Sequence, residues 1–361
     1  MKTQILKEKK EISELLHKKG LLIAGPCSIE SEEQLLKTAL GLSAKGKVDI
    51  LRAGAWKPRT NPGGFEGLGI KSLPWLLKAK QITGLPTAVE VATSKHVEDA
   101  LSFEVDVLWI GARTVVNPFS VQNVADAVKG SNVCVLIKNP VSADLKLWVG
   151  AIERLQKAGI ENIGLIHRGF SIYGETKYRN TPLWQVPIEI KRLFPTLPLI
   201  CDPSHICGNT QNLQAVAQKS IDLNYDGLMI ESHYNPMVAL TDKAQQVTPT
   251  ELQDLIEGLV YKKQSSTEVN FVQTLETLRE KINGIDDELI AKLAERMNIA
   301  VQIGQLKKQS NVTVLQASRY NEIVEKTVAK GALHGLSEPF IKSYMESVHI
   351  ESIRLQNGIK A

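Results

Sequence analysis

The feature that most limits what this chain can fold into is a repeated change of texture along residues 1–262. A short apolar run is followed by a longer amphipathic stretch, again and again. The apolar runs lie at 21–27, 49–54, 87–92, 107–113, 133–139, 163–169, 197–203 and 227–233. Each is short and nearly continuous in its apolar character, which reads as a parallel strand buried on both faces. Between them, stretches such as 31–45, 70–82, 145–158, 183–193 and 213–221 carry helical spacing. Strand then helix, eight times over about 250 residues, predicts a (β/α)8 barrel. The alternative is an open doubly wound sheet, which usually has fewer strands and a glycine-rich phosphate loop after the first. No such loop follows residue 27.

After residue 261 the strand-like runs stop. Residues 263–270 are polar and read as a linker. Leu275, Leu278, Ile282, Ile285 and Leu289 then fall at alternating spacings of three and four, a heptad-like seam. The pattern predicts one long helix reaching about Lys308, a second over 317–330 broken by Gly331 and Gly335, and a third over 339–356. The expected architecture is thus an α/β barrel in 1–262 and an all-α three-helix domain in 271–361. Three helices of this kind cannot cover an apolar seam alone, so the helical domain is expected to form a homodimer.

Bulk properties exclude several classes. The 361 residues carry a net charge of only +4, with no concentrated basic stripe, which argues against a nucleic-acid partner. No run of 18 apolar residues is present, so no membrane span is expected. The charged N-terminus lacks a signal-peptide core. Cys27, Cys134, Cys201 and Cys207 show no framework spacing, which points to reduced thiols and a cytoplasmic location.

In barrels of this kind the chemistry sits at the C-terminal ends of the strands. Polar residues gather there in this sequence. The first run ends in Cys27 and the second in Arg52, followed by Lys57, Arg59 and Thr60. Glu90, Arg113, Lys138 and the pair His167–Arg168 close the next four. Asp202 and His205 follow the seventh, Glu231 and His233 the eighth, and Asp242 the loop beyond. Arg52, Lys57, Arg59, Arg113, Lys138 and Arg168 converging on one mouth call for anionic ligands, because guanidinium forks suit phosphate and carboxylate. Cys27, His205, Glu231 and Asp242 offer mixed soft and hard donors that suit a divalent transition metal. Cys207 is a rival thiol, while Cys134 and Cys201 read as core.

The segments A-G-P-C-S (24–28), R-A-G-A-W-K-P-R-T (52–60), I-G-A-R-T (110–114), L-I-K-N (136–139), H-R-G (167–169), D-P-S-H (202–205), I-E-S-H (230–233) and A-L-T-D-K-A-Q-Q (239–246) resemble, in order, the motifs of type I 3-deoxy-D-arabino-heptulosonate 7-phosphate (DAHP) synthases. Sibling octulosonate-phosphate synthases differ at 57–60, where they carry a K-A-N-R-S-type segment. The resemblance implies condensation of phosphoenolpyruvate with erythrose 4-phosphate. It implies a divalent ion, manganese first among several, on Cys27, His205, Glu231 and Asp242. Arg52, Lys57, Arg113, Lys138 and Arg168 would then hold phosphoenolpyruvate, and Arg59 and Thr60 the sugar phosphate. Lys57, Lys138 and His205 would be the catalytic groups, with Lys138 a candidate proton carrier. Some relatives carry an extra N-terminal regulatory domain, and only residues 1–20 precede the first strand here. Feedback control is therefore expected from elsewhere in the chain.

In the helical part, Arg296 interrupts the apolar seam, and Lys307, about three turns on, shares its face. A cation in a seam is costly unless it meets an anion. L-R-x-x-I-N-x-I-D-x-E-L (278–289), A-E-R (294–296), I-G-x-L-K-K (303–308) and S-x-x-x-Q (352–356) resemble the all-helical chorismate mutases. The resemblance implies that Arg279, Arg296, Lys307, Arg319 and Gln356 bind chorismate and promote its rearrangement to prephenate, Arg279 being supplied by a partner protomer. Arg296, Lys307 and Gln356 are its expected catalytic groups. Two positions depart from the family, Gln316 and Tyr320, where acidic residues are usual. Tyr320 would have to meet the substrate's ring hydroxyl with a phenol. A second reading makes the helical domain mainly a sensor, with prephenate or chorismate bound there inhibiting the barrel.

Overall fold

The computed structural model describes residues 12–58, 63–174, 177–263 and 265–358. The chain divides into two compact units, Met1–Gln264 and Ser265–Ala361. No helix among the described residues is long and apolar enough to cross a membrane.

In the first unit eight parallel strands close a barrel in chain order: β1 (Leu21–Gly25), β2 (Ile50–Arg52), β3 (Thr87–Val91), β4 (Val107–Ile110), β5 (Cys134–Lys138), β6 (Ile163–His167), β7 (Leu199–Cys201) and β8 (Gly227–Glu231). β8 pairs with β1 from Leu21↔Gly227 to Gly25↔Glu231, which shuts the ring. Alternate side chains separate into two cores. Leu21, Ile23, Ile50, Ala88, Trp109, Leu136, Ile166, Ile200 and Met229 form one cluster, joined by Ile12 and Leu16. Leu22, Ala24, Leu51, Val89, Val135, Leu165 and Leu228 belong to the other, together with the apolar faces of the surrounding helices. Burial on both faces is why the strands read as unbroken apolar runs rather than alternating ones.

Period two then dictates what stands at the strand exits. Two residues beyond the interior positions Ile50, Ala88, Leu136, Ile200 and Met229 come Arg52, Glu90, Lys138, Asp202 and Glu231. Each keeps the inward direction of the residue two before it. The helices between strands are started by side-chain caps. Ser31, Thr93 and Asp144 accept from the first-turn amides. Thr248 and Glu251 form a reciprocal capping box ahead of the helix Pro249–Glu257.

The strands stop short of the ends expected from the sequence. β4 ends at Ile110, and Arg113 lies in a short helix, Ala112–Val115. β7 ends at Cys201, and His205 lies in the helix Pro203–Cys207. The physical reason is visible at β7. Pro203 offers no ladder donor, and the Asp202 carboxylate accepts from the His205 amide at 3.1 Å, so the chain turns into a helix at once.

The second unit holds the helices Val269–Gln309, Ala317–Leu333 and Glu338–Asn357. The first has 41 residues and is about 60 Å long. It begins at Val269, so the expected linker is too long by two residues; neither Val269 nor Asn270 is a helix breaker. Gly331 does not break the second helix, which runs on to Leu333 and turns at Gly335 with φ 73°. Gly331 is instead a packing position, since a Cβ there would meet Ile341 of the third helix at 2.6 Å. Leu278, Ile282, Ile285 and Leu289 are each half or more exposed in the single chain.

Candidate active site

At the mouth of the barrel, Cys27, Glu231 and Asp242 present ligand atoms that all lie within 4.8 Å of one another. Cys27 follows β1, Glu231 ends β8, and Asp242 sits in the next loop with φ 42°, a left-handed backbone that asparagine and aspartate tolerate best after glycine. The Cys27 thiol donates to Asp242 Oδ2 at 3.2 Å. Lys57 Nζ enters the same space, touching Cys27 Sγ and reaching Asp242 Oδ2 at 3.0 Å. Burial, with the nearby Glu231 carboxylate, pushes the Cys27 thiol far up. Burial alone would lower the Lys57 ammonium, but Cys27, Glu231 and Asp242 outweigh it and hold it high. Asp242, partly buried, is kept well below the usual carboxylate range by Lys57 and Arg179.

Of the four residues singled out as metal ligands, three meet in this group, and His205 stands beside it. His205 Nδ1 donates to the buried Asp202 carboxylate at 2.8–3.0 Å, and its Nε2 faces Glu231 Oε1 at 3.8 Å. Burial lowers the imidazole below its ordinary value, so it is neutral near pH 7. A neutral ring donating from Nδ1 keeps a lone pair on Nε2, the arrangement usual for a ligating histidine with a carboxylate behind it. Thiol, imidazole and two carboxylates fit a divalent transition ion by donor chemistry. Binding one would require the Cys27 proton to leave.

The cations surround this cluster. Arg52 Nη2 lies 3.2 Å from Glu231 Oε1, and its Nε and Nη1 are buried with no hydrogen-bond partner among the described residues. Lys138 Nζ pairs with Asp202 at 2.9 Å. Trp109 lies beneath both, 4.9 Å from the Arg52 guanidinium and 5.9 Å from Lys138 Nζ, with its own Nε1 donating to Glu90 at 3.0 Å. Arg168 Nη1 donates to Asn180 Oδ1 at 2.6 Å, and burial draws its guanidinium down to about 10. Arg113 is exposed on its short helix and close enough to repel Arg168. Arg59 and Thr60 lie outside the described residues. Gly25 and Gly54 bring two strand exits together: a Cβ on Gly25 would collide with the Arg52 carbonyl, and one on Gly54 with the Cys27 carbonyl.

Arg179 escaped the reading of strand ends. It donates to Asp242 Oδ1 at 3.1 Å and Gln245 Oε1 at 2.9 Å from the middle of a loop, where no periodicity marks it. Trp109 also went unnoticed: it stands at an inward position of β4, and nothing in the sequence pattern tells a platform from a core residue. His167 has a different task. It donates from Nε2 to the Pro182 carbonyl at 2.7 Å and accepts at Nδ1 from the Tyr225 hydroxyl at 2.9 Å, fully buried.

In the helical unit Arg296 Nη1 donates to Ser352 Oγ at 2.8 Å, and Lys307 Nζ to the Val314 carbonyl at 2.7 Å. Gln356 Oε1 is buried with no hydrogen-bond partner among the described residues. Arg319 pairs with Glu322 at 2.8 Å on the surface. Arg279 is exposed beside Glu276. Seventeen residues separate it from Arg296, about 25 Å along one helix, so a single chain does not bring the two together.

A closed barrel whose strand exits set arginine and lysine around a thiol–carboxylate cluster is a barrel enzyme for anionic substrates. The chain belongs to the DAHP synthetase I family, whose model matches residues 4–269. The chorismate mutase type II model matches residues 278–357. A phospho-2-dehydro-3-deoxyheptonate aldolase of Thermotoga maritima is 31% identical over 238 residues, 66% of this chain and 68% of that protein. A 2-dehydro-3-deoxyphosphooctonate aldolase of Wolinella succinogenes is 26% identical over 264 residues, 66% and 98% of the two chains. The bifunctional chorismate mutase/prephenate dehydratase of Escherichia coli is 32% identical over 82 residues, 23% of this chain and 21% of that one. The crystal structure of the Thermotoga maritima DAHP synthase superposes with a TM-score of 0.58 at 29% identity, covering 66% of this chain and 67% of that one. The chain therefore carries a DAHP synthase domain, a transferase-type aldolase, and a chorismate mutase domain, an isomerase: the two parts of a bifunctional shikimate-pathway enzyme.

Proposed function

We propose that the barrel performs a metal-dependent condensation of phosphoenolpyruvate with erythrose 4-phosphate, releasing DAHP and phosphate, and that the helical unit rearranges chorismate to prephenate. The observation that carries the first part is Arg52. Its fork meets Glu231 on one side and leaves two buried N–H-bearing nitrogens unpartnered on the other. A buried guanidinium in that state is built for an anion that is not part of the chain.

Cys27, His205, Glu231 and Asp242 would hold a divalent ion, manganese being the first choice, and that ion would supply Lewis acidity to the aldehyde. Arg52, Lys57, Lys138, Arg113 and Arg168 bind and orient phosphoenolpyruvate. Arg59 and Thr60 receive the sugar phosphate. A carbon–carbon bond forms between the enol carbon of phosphoenolpyruvate and the aldehyde carbon. Water adds at the neighbouring cation-like carbon, and phosphate leaves. Holding two anions side by side converts a bimolecular encounter into an oriented one. Lys138, paired with Asp202, is the proton carrier of this scheme.

The rearrangement needs no acid, base or covalent step. Arg296, Arg319 and a partner's copy of Arg279 would hold the two carboxylates, while Lys307 and Gln356 donate toward the ether oxygen. The exposed seam of the long helix supports a homodimer formed through this unit. Prephenate or chorismate bound there would inhibit the barrel, and on a second reading that sensing is the unit's main task. The observation that favours this second reading is the Tyr320–His349 stack, which stands where the family usually has an acidic side chain. Four buried free cysteines fit a cytoplasmic enzyme.

Two assays test the scheme. Consumption of phosphoenolpyruvate should require erythrose 4-phosphate rather than a five-carbon sugar phosphate, stop on chelation and return with manganese. Chorismate should disappear with the unaltered chain and persist with Arg296→Ala. Aldol activity that survives exhaustive chelation refutes the metal requirement. Aldol activity indifferent to saturating prephenate refutes feedback.

A further inference from the structure

His349 belongs to no motif singled out in the sequence, yet it stands where the helical unit's polar groups meet. On the helix Glu338–Asn357, His349, Ser352 and Gln356 are spaced by three and four and share one face. Ser352 on that face accepts from Arg296 at 2.8 Å. Two side-chain atoms of the face are buried with no hydrogen-bond partner among the described residues, His349 Nε2 and Gln356 Oε1. The His349 ring stacks on Tyr320, with centroids 4.2 Å apart and planes 29° from parallel, so its orientation is held. Burial, with Arg296 and Lys307 nearby, keeps this imidazole below its ordinary value and hence neutral near pH 7. A neutral imidazole offers one donor and one acceptor nitrogen. The cations of the unit suit carboxylates. A neutral nitrogen that can serve in either role suits a hydroxyl, which can give or take a hydrogen bond. A buried polar nitrogen without a partner is costly in a native protein unless a ligand or water completes it.

We infer that His349 is a substrate-binding residue of the helical unit, its Nε2 hydrogen-bonding the ring hydroxyl of a bound cyclic dicarboxylate while Tyr320 holds the ring in place by stacking. The inference rests on reading this unit as the chorismate site. His349 touches the ligand, and Tyr320 is a positioning residue.

The test uses the full chain, with chorismate turnover and calorimetric binding of chorismate measured for the unaltered protein and for His349→Ala, His349→Gln, Tyr320→Leu and Arg296→Ala. His349→Ala is expected to lower kcat/KM for chorismate about tenfold or more, mainly through KM, the size typical of one lost ligand hydrogen bond. His349→Gln, whose amide offers both a donor and an acceptor, should recover most of that loss. Tyr320→Leu should give a smaller loss of the same kind. Turnover and binding in His349→Ala equal to the unaltered chain overturn the inference, while their loss in Arg296→Ala leaves the site reading intact. A His349→Gln variant as impaired as His349→Ala also overturns it, because the ring is then only packing. If the unaltered chain neither binds nor turns over chorismate, this inference and the site reading fall together.

Discussion

Replacing His167 by glutamine should flatten the acid sensitivity of the barrel by an amount that can be stated in advance. His167 is fully buried, and burial pulls its imidazole down to about 3, against an ordinary value of 6.5. The carbonyl of Pro182 accepts a hydrogen bond from Nε2–H, and the Tyr225 hydroxyl, whose own phenol is pushed well up by burial, donates to Nδ1. Protonating Nδ1 would break that second bond. Between pH 6.5 and 3 the unfolded chain binds a proton here that the folded chain does not. The stability owed to neutral His167 is therefore complete above pH 6.5 and lost as pH falls toward 3. Each pH unit is worth about 1.4 kcal/mol, so lowering the pH to 4.5 costs the unaltered barrel about 2.5 kcal/mol through this residue. His167→Gln should start lower at pH 7 by about 1–3 kcal/mol, the cost of imperfectly replaced buried hydrogen bonds. It should then lose about 2.5 kcal/mol less than the unaltered chain between pH 7 and pH 4.5. All five tryptophans, Trp56, Trp75, Trp109, Trp148 and Trp184, lie in the first unit. Urea titrations followed by tryptophan fluorescence thus report the barrel alone. Carboxylates such as Asp202 titrate in both proteins and cancel in the difference. Equal pH dependence of the two would refute the assignment of a neutral, doubly bonded His167.

Three further outcomes are expected. Arg52→Lys keeps the charge but not the fork, so KM for phosphoenolpyruvate should rise about tenfold to a hundredfold in steady-state assays, the range for a charged hydrogen bond. Cys27→Ser removes the only soft donor of the cluster, and should weaken retention of a zinc or cadmium probe in chelator competition far more than retention of magnesium. Ile285→Glu places a charge in the exposed seam of the long helix and should turn a dimer into a monomer in sedimentation, with chorismate turnover lost and aldol activity retained.

The barrel was legible because its strands are buried on both sides and so print unbroken apolar runs; the strand ends were not, because hydrogen-bonded pairing stops short of the last residues of a run, at Ile110 in β4 and at Cys201, just ahead of Pro203, in β7. Hence Arg113 and His205, counted at strand ends, sit on short helices. Period two accounts for Arg52, Glu90, Lys138, Asp202 and Glu231 with no knowledge of relatives. Asp242 and Arg179 come from loops, where no repeat points anywhere; Asp242 was singled out as a carboxylate just past the eighth apolar run, and Arg179 was missed. Gly331 misled for a related reason. A glycine chosen for a close helix crossing looks, in a sequence, like one chosen to end a helix.

The paired glycines at the first two strand exits have a mechanical consequence. Gly25 lies against the carbonyl of Arg52, and Gly54 against the carbonyl of Cys27, each with no room for a side chain. The two exits are dovetailed, so the sulfur and the guanidinium ride on one stiff plate and cannot be re-aimed separately. A library randomised at these two positions should return glycine alone. Changes of metal or sugar preference have to be engineered in the loops that overhang this plate, because the plate itself has no play to give.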